Sequence, residues 1–321
     1  MAGLPPQPMT LLFDVDIGPG GVRYNTVDLS QCVSLIGRKF HRQGLEWAVA
    51  GIRFSSPAGV TVQVATLPQT WSCANAWSTG FRAWRKMNDL AERDMTSSNE
   101  AKYIDYKIFF DNRHIDASHA QYAPNLLPQG TLPGAGYVYH WNYSNYDWPD
   151  DSDMAGATRA AHMLGDDNGS TSIGLIHNYA NLRSRPQAED PNVPELGDGS
   201  VFTSLFDFGG GSDVILRDIA EKNSSPPYWV GEDPSIEEAY PGGKNYRAAW
   251  VDWINAETNI YNSGGGANAN GFIPGFTALC GLIRFKFASQ SGSNLNDLKM
   301  WIDLVPGPMN GYMTRPMQDV N

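Results

Sequence analysis

The side chains in this sequence best placed to do chemistry are basic. Arg38, Lys39, His41 and Arg42 sit together just ahead of an apolar run at 45–54, with Arg23 upstream. Lys and Arg that face one way meet the phosphates of a nucleic acid, and such contacts read no base sequence. Arg23, Arg38, Lys39 and Arg42 are therefore the candidate nucleic-acid-facing residues. The same cluster also fits an ordinary solvated turn.

No catalytic pattern accompanies them. The chain has no G-x-S-x-G, and Gly243-Lys244 is followed by Asn245 without the upstream glycine of a phosphate-binding loop. The histidines at 41, 114, 119, 140, 162 and 177 show no H-x-x-x-H or H-E-x-x-H spacing. His114 and His119 lie five apart in a loop-like segment and read as solvated or backbone-bound, not as metal ligands. Asp147, Asp150, Asp151 and Asp153, and the run Asp166-Asp167-Asn168-Gly169, supply oxygens of the kind calcium takes. Neither has EF-hand spacing, and a solvated acidic loop is the preferred reading. Among 34 acidic residues some pair will always fit a glycosidase cleft, so that signal carries almost no information. No catalytic residue, metal site or cofactor is expected.

The elements that must position the basic cluster are mostly strands. Leu11, Phe13, Val15 and Ile17 alternate with Asp14 and Asp16. Leu45, Trp47 and Val49 alternate with Ala48, Ala50 and Ile52, which predicts a strand buried on both faces. Val60, Val62 and Val64 follow, and the intervening 55–59 reads as a hairpin connection. Ile104, Tyr106, Ile108 and Phe110 oppose Asp105 and Lys107 in a strand over 102–111. Ile283, Phe285 and Phe287, then Leu298, Met300, Ile302 and Leu304, form two more. Between 71 and 90 the period changes: Trp71, Ala74, Trp77, Phe81, Trp84 and Leu90 recur at three- and four-residue steps. This predicts an amphipathic helix of about five turns, its aromatics packed on a sheet edge. Shorter helices are expected over 172–183, with Ile173, Ile176, Tyr179 and Leu182 on one stripe, and over 212–222. The Pro- and Gly-punctuated middle is otherwise loops, and 137–148 carries a run of Tyr and Trp.

Strands at both ends of the chain, with loops and helices between, complete the same sheets. The expected fold is all-β: a single jelly-roll antiparallel β-sandwich with long loops and a few inserted helices. It occupies 1–321 as one domain, with insertions at roughly 112–275. Composition agrees. The 321 residues include 33 Gly and 21 Pro, and only 18% are charged, against about 25% in an average soluble domain. Aromatics at 12% argue against a disordered chain. The net charge of −11 is uneven: 12 basic and 10 acidic residues in 1–113, then 11 and 24 in 114–321. An acidic total is a poor prior for nucleic-acid binding. A chain with its cations gathered in one third can still present a neutral or positive inner face. Cys32, Cys73 and Cys280 give neither a disulfide framework nor a zinc spacing, and read as buried thiols of a reducing compartment. No secretory leader is expected, and the longest apolar stretch, 271–283, is too short to span a membrane.

Short segments in order along the chain add a resemblance. They are Val27-Asp28-Leu29-Ser30-Gln31-Cys32; Arg38-Lys39-Phe40-His41-Arg42-Gln43-Gly44; and Trp47-Ala48-Val49-Ala50-Gly51-Ile52. Thr66-Leu67-Pro68-Gln69-Thr70-Trp71 follows, with Asn75-Ala76-Trp77 and Phe81-Arg82-Ala83-Trp84. Tyr240-Pro241-Gly242-Gly243 and Leu279-Cys280-Gly281-Leu282-Ile283-Arg284 come later. Last is the tail from Leu304-Val305-Pro306-Gly307 through Gly311-Tyr312 to Arg315-Pro316-Met317. Taken together, these resemble the capsid proteins of small circular Rep-encoding single-stranded DNA viruses.

The resemblance implies a jelly roll without catalytic residues. Copies of it close into a small icosahedral shell around a circular single-stranded DNA genome. Its partners are then other copies of itself, the single-stranded DNA and a host-cell receptor of unspecified kind, with no membrane. Its place is the virion, assembled inside the host cell in nucleus or cytoplasm. One departure matters: many capsids of this group begin with an Arg-rich arm, and residues 1–22 here hold no Lys or Arg. Two other readings stay open. One is a carbohydrate-binding or glycosidase-type sandwich using the aromatics of 137–148. The other is a phage spike or fibre protein built on the same sandwich.

Overall fold

The alternating segments become strands because each presents apolar side chains at every second position, and a strand turns those to one face. The computed structural model describes residues 7–18, 21–94, 105–115, 125–129, 141–148, 157–165, 167, 171–184, 256–260, 269–291 and 295–320. In chain order the first elements are β1 (Thr10–Ile17), β2 (Val22–Asp28), α1 (Leu29–Gly37), β3 (Leu45–Ser56), β4 (Val60–Thr66) and α2 (Trp71–Asp94). Then come β5 (Phe109–Asp111), α3 (Asn112–Ile115), β6 (Asn145–Trp148), β7 (Ala157–Leu164), β8 (Ser172–Gly174) and α4 (Leu175–Ser184). The last are β9 (Ala256–Ile260), β10 (Ala269–Ala278), β11 (Leu282–Ser289), β12 (Leu295–Leu304), β13 (Pro306–Gly307), β14 (Gly311–Tyr312) and β15 (Thr314–Pro316). The chain divides into two compact units. One comprises Met1–Leu67, Asp116–Asn142 and Asp252–Val320; the other comprises Pro68–Ile115 and Tyr143–Val251. The sequence reading placed one domain over the whole chain. The second unit begins at Pro68 and so takes in α2.

The first unit is an antiparallel β-sandwich. One sheet has the order β1-β12-β3-β10, with β15 paired to the start of β3; the other has the order β2-β11-β4-β9. Every pairing in both is antiparallel. Numbered one to eight along the chain, the main strands run 1-8-3-6 in one sheet and 2-7-4-5 in the other. Each connection between successive strands crosses from sheet to sheet except β4 to β9, the connection that contains the second unit. The inner faces share one core: Leu11, Phe13 and Val15 of β1, Ile52 and Phe54 of β3, Val62 of β4, Phe285 and Phe287 of β11, and Met300 and Ile302 of β12. Phe54 and Phe287 meet edge-to-face across the gap at 6.4 Å, a favoured aromatic geometry.

Two expectations for β3 are corrected here. The strand is not buried on both faces, because Ala50 and Arg53 are exposed. Trp47 and Val49 point inward, and so do Ile52 and Phe54; the phase slips by one residue between them. The ladder with β12 shows the slip, passing from Leu304↔Val49 to Asp303↔Gly51. This is a β-bulge, and a bulge makes a one-sided strand look apolar at both parities. Nor is 55–59 a hairpin connection. β3 pairs with β12, β10 and β15, while β4 pairs with β11 and β9, so the turn at 57–59 changes sheets.

The second unit is mixed. β7 lies beside β5 and β8, both parallel to it, and beside antiparallel β6. The predicted helix at 71–90 forms and extends to Asp94. Trp77 stacks on Phe81 at 5.3 Å, and Phe81 and Trp84 both pack on Tyr106 at 5.5 Å. Gly80 lets the helix seat: a Cβ there would stand 2.9 Å from both Leu175 and the Tyr106 hydroxyl. Of the strand predicted over 102–111, 102–104 lie outside the described residues, 105–108 carry no regular structure and β5 is the part that forms; 106–111 are all buried. Lys107 is buried with them and pairs with Asp105, so polarity did not mark an outer face. The helix predicted over 172–183 starts three residues later, after β8. The helix predicted at 212–222 lies outside the described residues.

Candidate nucleic-acid interface

The basic cluster stands where α1 ends. Asp28 caps the helix: its carboxylate accepts the N–H of Ser30 at 3.0 Å and of Gln31 at 3.2 Å. It also accepts the Gln43 side-chain amide at 2.8 Å, so the same residue ties down the chain returning from the cluster. At the other end Arg38 reverses direction in a left-handed conformation, φ 50° and ψ 33°.

The turn after Arg38 is pinned from inside. The His41 N–H donates to Ser34 Oγ at 2.8 Å. Ser30 Oγ donates to the Arg42 carbonyl at 3.1 Å and accepts the Trp47 indole N–H at 3.2 Å. The His41 ring packs on Tyr312 at 5.6 Å and on Trp47 at 6.0 Å. Burial lowers the His41 pKa, and neighbouring Lys39 lowers it further, so the imidazole is neutral near pH 7. With His41 turned inward, Arg38, Lys39, Phe40 and Arg42 are left exposed.

Other cations of the sandwich have carboxylate partners. Arg53 is clamped by Asp303 at 2.9 and 3.0 Å, Arg315 by Glu46 at 2.6 Å, and Lys299 lies 3.5 Å from Asp14. Arg38, Lys39 and Arg42 form no ion pair with another described residue. Phe40 is 51% exposed and stacks on Trp141 at 6.2 Å with 29° between the planes. Gln7 lies against both Gly37 and Gly311, so the hairpin of β13 and β14 adjoins the end of α1. Leu35, Phe40, Met309 and Met313 are four of the five large apolar side chains exposed among the described residues. All four belong to α1, to the turn after it or to the segment around β13 and β14.

Arg23 does not join them. It is half-buried in β2 opposite Phe287, near the turn where the Ser289 N–H donates to the Gly21 carbonyl. That end of the sandwich carries Gly21, the turn at 57–59 and Gln290, whose N–H donates to the Gly59 carbonyl. The structure thus brings together Arg38, Lys39 and Arg42 and leaves Arg23 at the opposite end. Sequence reasoning did not place Phe40 and Trp141 in the site. An aromatic inside a basic run was the signal for Phe40. Nothing local marked Trp141, which lies far away in sequence.

The other chemical candidates have structural employment. Asp167 accepts the Gly174 N–H and the Asn178 amide, both at 2.7 Å. Asp147 lies in β6, while Asp150, Asp151, Asp153, Asp166 and Asn168 lie outside the described residues. The His114 Nδ1 accepts the Phe110 N–H at 3.2 Å, and its ring packs on Phe109 at 5.1 Å; His119 lies outside. No three His, Cys, Asp or Glu among the described residues are grouped to hold a metal ion. All three cysteines are buried and in no disulfide, and burial pushes Cys73 up to about 12. No described helix is long and apolar enough to cross a membrane. No known protein family, curated protein or solved structure matches this chain.

Proposed function

We propose that this chain is a jelly-roll coat-protein subunit that assembles with its own copies into a small icosahedral shell around a circular single-stranded DNA genome. One observation carries the reading: two four-stranded antiparallel sheets with orders 1-8-3-6 and 2-7-4-5. That order is what two Greek keys rolled into a double sheet produce. The short connections at one end also favour it. The Ser289 N–H donates to the Gly21 carbonyl and the Gln290 N–H to the Gly59 carbonyl, which draws the strand ends there together. The exposed cations at the other end would supply a contact for phosphate, and the ordered segments resembling viral capsids supply the genome type.

Less favours a sugar-binding sandwich. Of the aromatics in 137–148, Tyr143 stacks on Phe109 at 3.7 Å, Tyr146 is buried and Trp141 lies against Phe40. Negative-stain electron microscopy of the full-length protein after size exclusion tests the proposal. Uniform closed spheres with a nucleic-acid absorbance ratio are expected. Rods or trimeric spikes would point to a fibre protein, and a persistent monomer across salt and pH would end the coat-protein reading.

A further inference from the structure

We propose that β5 and α3 form an acid-released latch on β7, sprung when His114, which packs on Phe109, and His162, which lies opposite Phe109 in the ladder, take up protons. The inference lies within the second unit and does not depend on the coat-protein reading.

The latch is short. β5 has three residues, and its ladder with β7 consists of Phe109↔His162 and Asp111↔Leu164. Segments held by so few contacts are the first to open. His114 gives one support. Its Nδ1 accepts the Phe110 N–H at 3.2 Å, its own backbone N–H donates to Asp111 Oδ1 at 2.9 Å, and its ring meets Phe109 edge-on at 5.1 Å. An imidazolium carries hydrogen on both nitrogens and accepts nothing. A proton on Nδ1 therefore sets N–H against N–H and releases Phe110. His162 gives the other support. It is wholly buried, and neither ring nitrogen makes a hydrogen bond of good geometry. Burying an uncharged polar group in that way costs far less than burying an unpartnered charge.

The surroundings decide the sign. Burial is the largest influence on His162 and disfavours its cation; Asp111 of β5 and the Leu164 backbone favour it, and His177 of α4 opposes it. Beside His114 stand Arg113 of α3 and the Tyr143 ring at 5.9 Å. Asp167, ahead of β8, interacts with His177 and with Arg159 of β7. Burial raises the Asp167 pKa, so acid relieves that carboxylate and works against release. In place, His162 titrates at about 4, whereas a solvated imidazole titrates near 6.5. Between those values the open latch binds a proton that the closed one refuses, so opening gains as pH falls. His162 alone should make the opening constant about 20-fold larger at pH 5 than at pH 7. The loss of the Phe110 bond to His114 adds to that.

The test is hydrogen exchange of the full-length chain at pH 7 and pH 5, read by mass spectrometry and divided by the intrinsic exchange rate at each pH. The Phe110 and His114 N–H groups report the latch, and β4 and β11 of the sandwich serve as the comparison. Protection over 109–115 should fall about 20-fold or more at pH 5 while β4 and β11 keep theirs. H162Q should remove most of the fall. H114Q, whose amide oxygen can still accept the Phe110 N–H, should reduce it. Unchanged protection over 109–115 overturns the latch. An equal fall in β4 and β11 overturns it too, since that is global unfolding. A full-size fall in both H162Q and H114Q also overturns it and assigns the acid response to carboxylates. If H162Q does not fold, the wild-type pattern and H114Q still decide.

Discussion

Arg38 couples backbone strain to side-chain use. A non-glycine residue in the left-handed region costs about 1–2 kcal/mol, and Arg38 occupies it with φ 50°. Part of that is offset, since a cation at a helix C-terminus gains about 0.3–1 kcal/mol from the aligned carbonyls. Arg38→Gly should therefore raise stability by roughly 0.5–1 kcal/mol, read as a shift in urea midpoint, while weakening oligo-dT binding. A mutant both weaker-folding and unchanged in binding would refute the assignment. Asp28 is the opposite case. It is fully buried and serves two helical N–H groups and the Gln43 amide. Asp28→Ala leaves all three donors without it and should cost about 2–4 kcal/mol; Asp28→Asn should cost clearly less, by the same denaturation measurement. At this scale the sequence was legible where neighbours in the chain act together. The three clustered cations could be found that way. Trp141 could not, because the contact that makes it relevant closes a loop of about a hundred residues.

Elements were legible where their period holds one phase. β1 alternates cleanly, and Leu11, Phe13, Val15 and Ile17 are all buried with Asp14 and Asp16 outside. β3 was misread at the bulge, where one extra residue moves inward positions to the other parity. The segment 105–111 was misread because burial on all sides erases alternation and an ion pair can be buried with it. Sheet membership was equally hidden: a three-residue turn looks the same whether it joins partners or crosses a sandwich. In the second unit, β7 carries His162, which is wholly buried opposite Phe109 of β5 and Gly174 of β8. Burial lowers its pKa to about 4; Asp111 of β5 opposes the shift and His177 of α4 adds to it. The unfolded imidazole titrates near 6.5, so between pH 6.5 and 4 the unfolded chain binds the extra proton. Stability is then lost as pH falls through that window, by about 2 kcal/mol between pH 7 and 5. Urea midpoints at the two pH values read this directly. His162→Gln should flatten the difference, and a mutant as acid-sensitive as wild type would assign the effect to other groups.

For the whole molecule the difficulty is charge. A chain with a net charge of −11 repels DNA at long range. At physiological salt, charges more than about 8 Å apart are largely screened, so the local balance decides. Ion pairs neutralise some of the sandwich's cations locally: Arg53 with Asp303, Arg315 with Glu46, Lys299 with Asp14. At one end Arg38, Lys39 and Arg42 are exposed and pair with no carboxylate among the described residues. Strand layout at the two ends of the chain made the sandwich foreseeable, since its strands had to meet. The second unit was not foreseeable, because nothing in composition marks Pro68 as the start of a separate packing unit. If these three cations hold the genome and apolar contacts hold the shell, the two functions separate under salt and under mutation. Raising ionic strength to 1 M, where the screening length is about 3 Å, should release DNA from opened particles while subunit contacts persist. Reversing Arg38, Lys39 and Arg42 to Glu should yield intact particles whose absorbance ratio is that of protein alone. Reversing Arg23, half-buried at the far end, should leave packaging unchanged. Full-length DNA in the triply reversed particles would show that the genome is held elsewhere, and unassembled subunits would show that this end of the sandwich is instead a contact between copies.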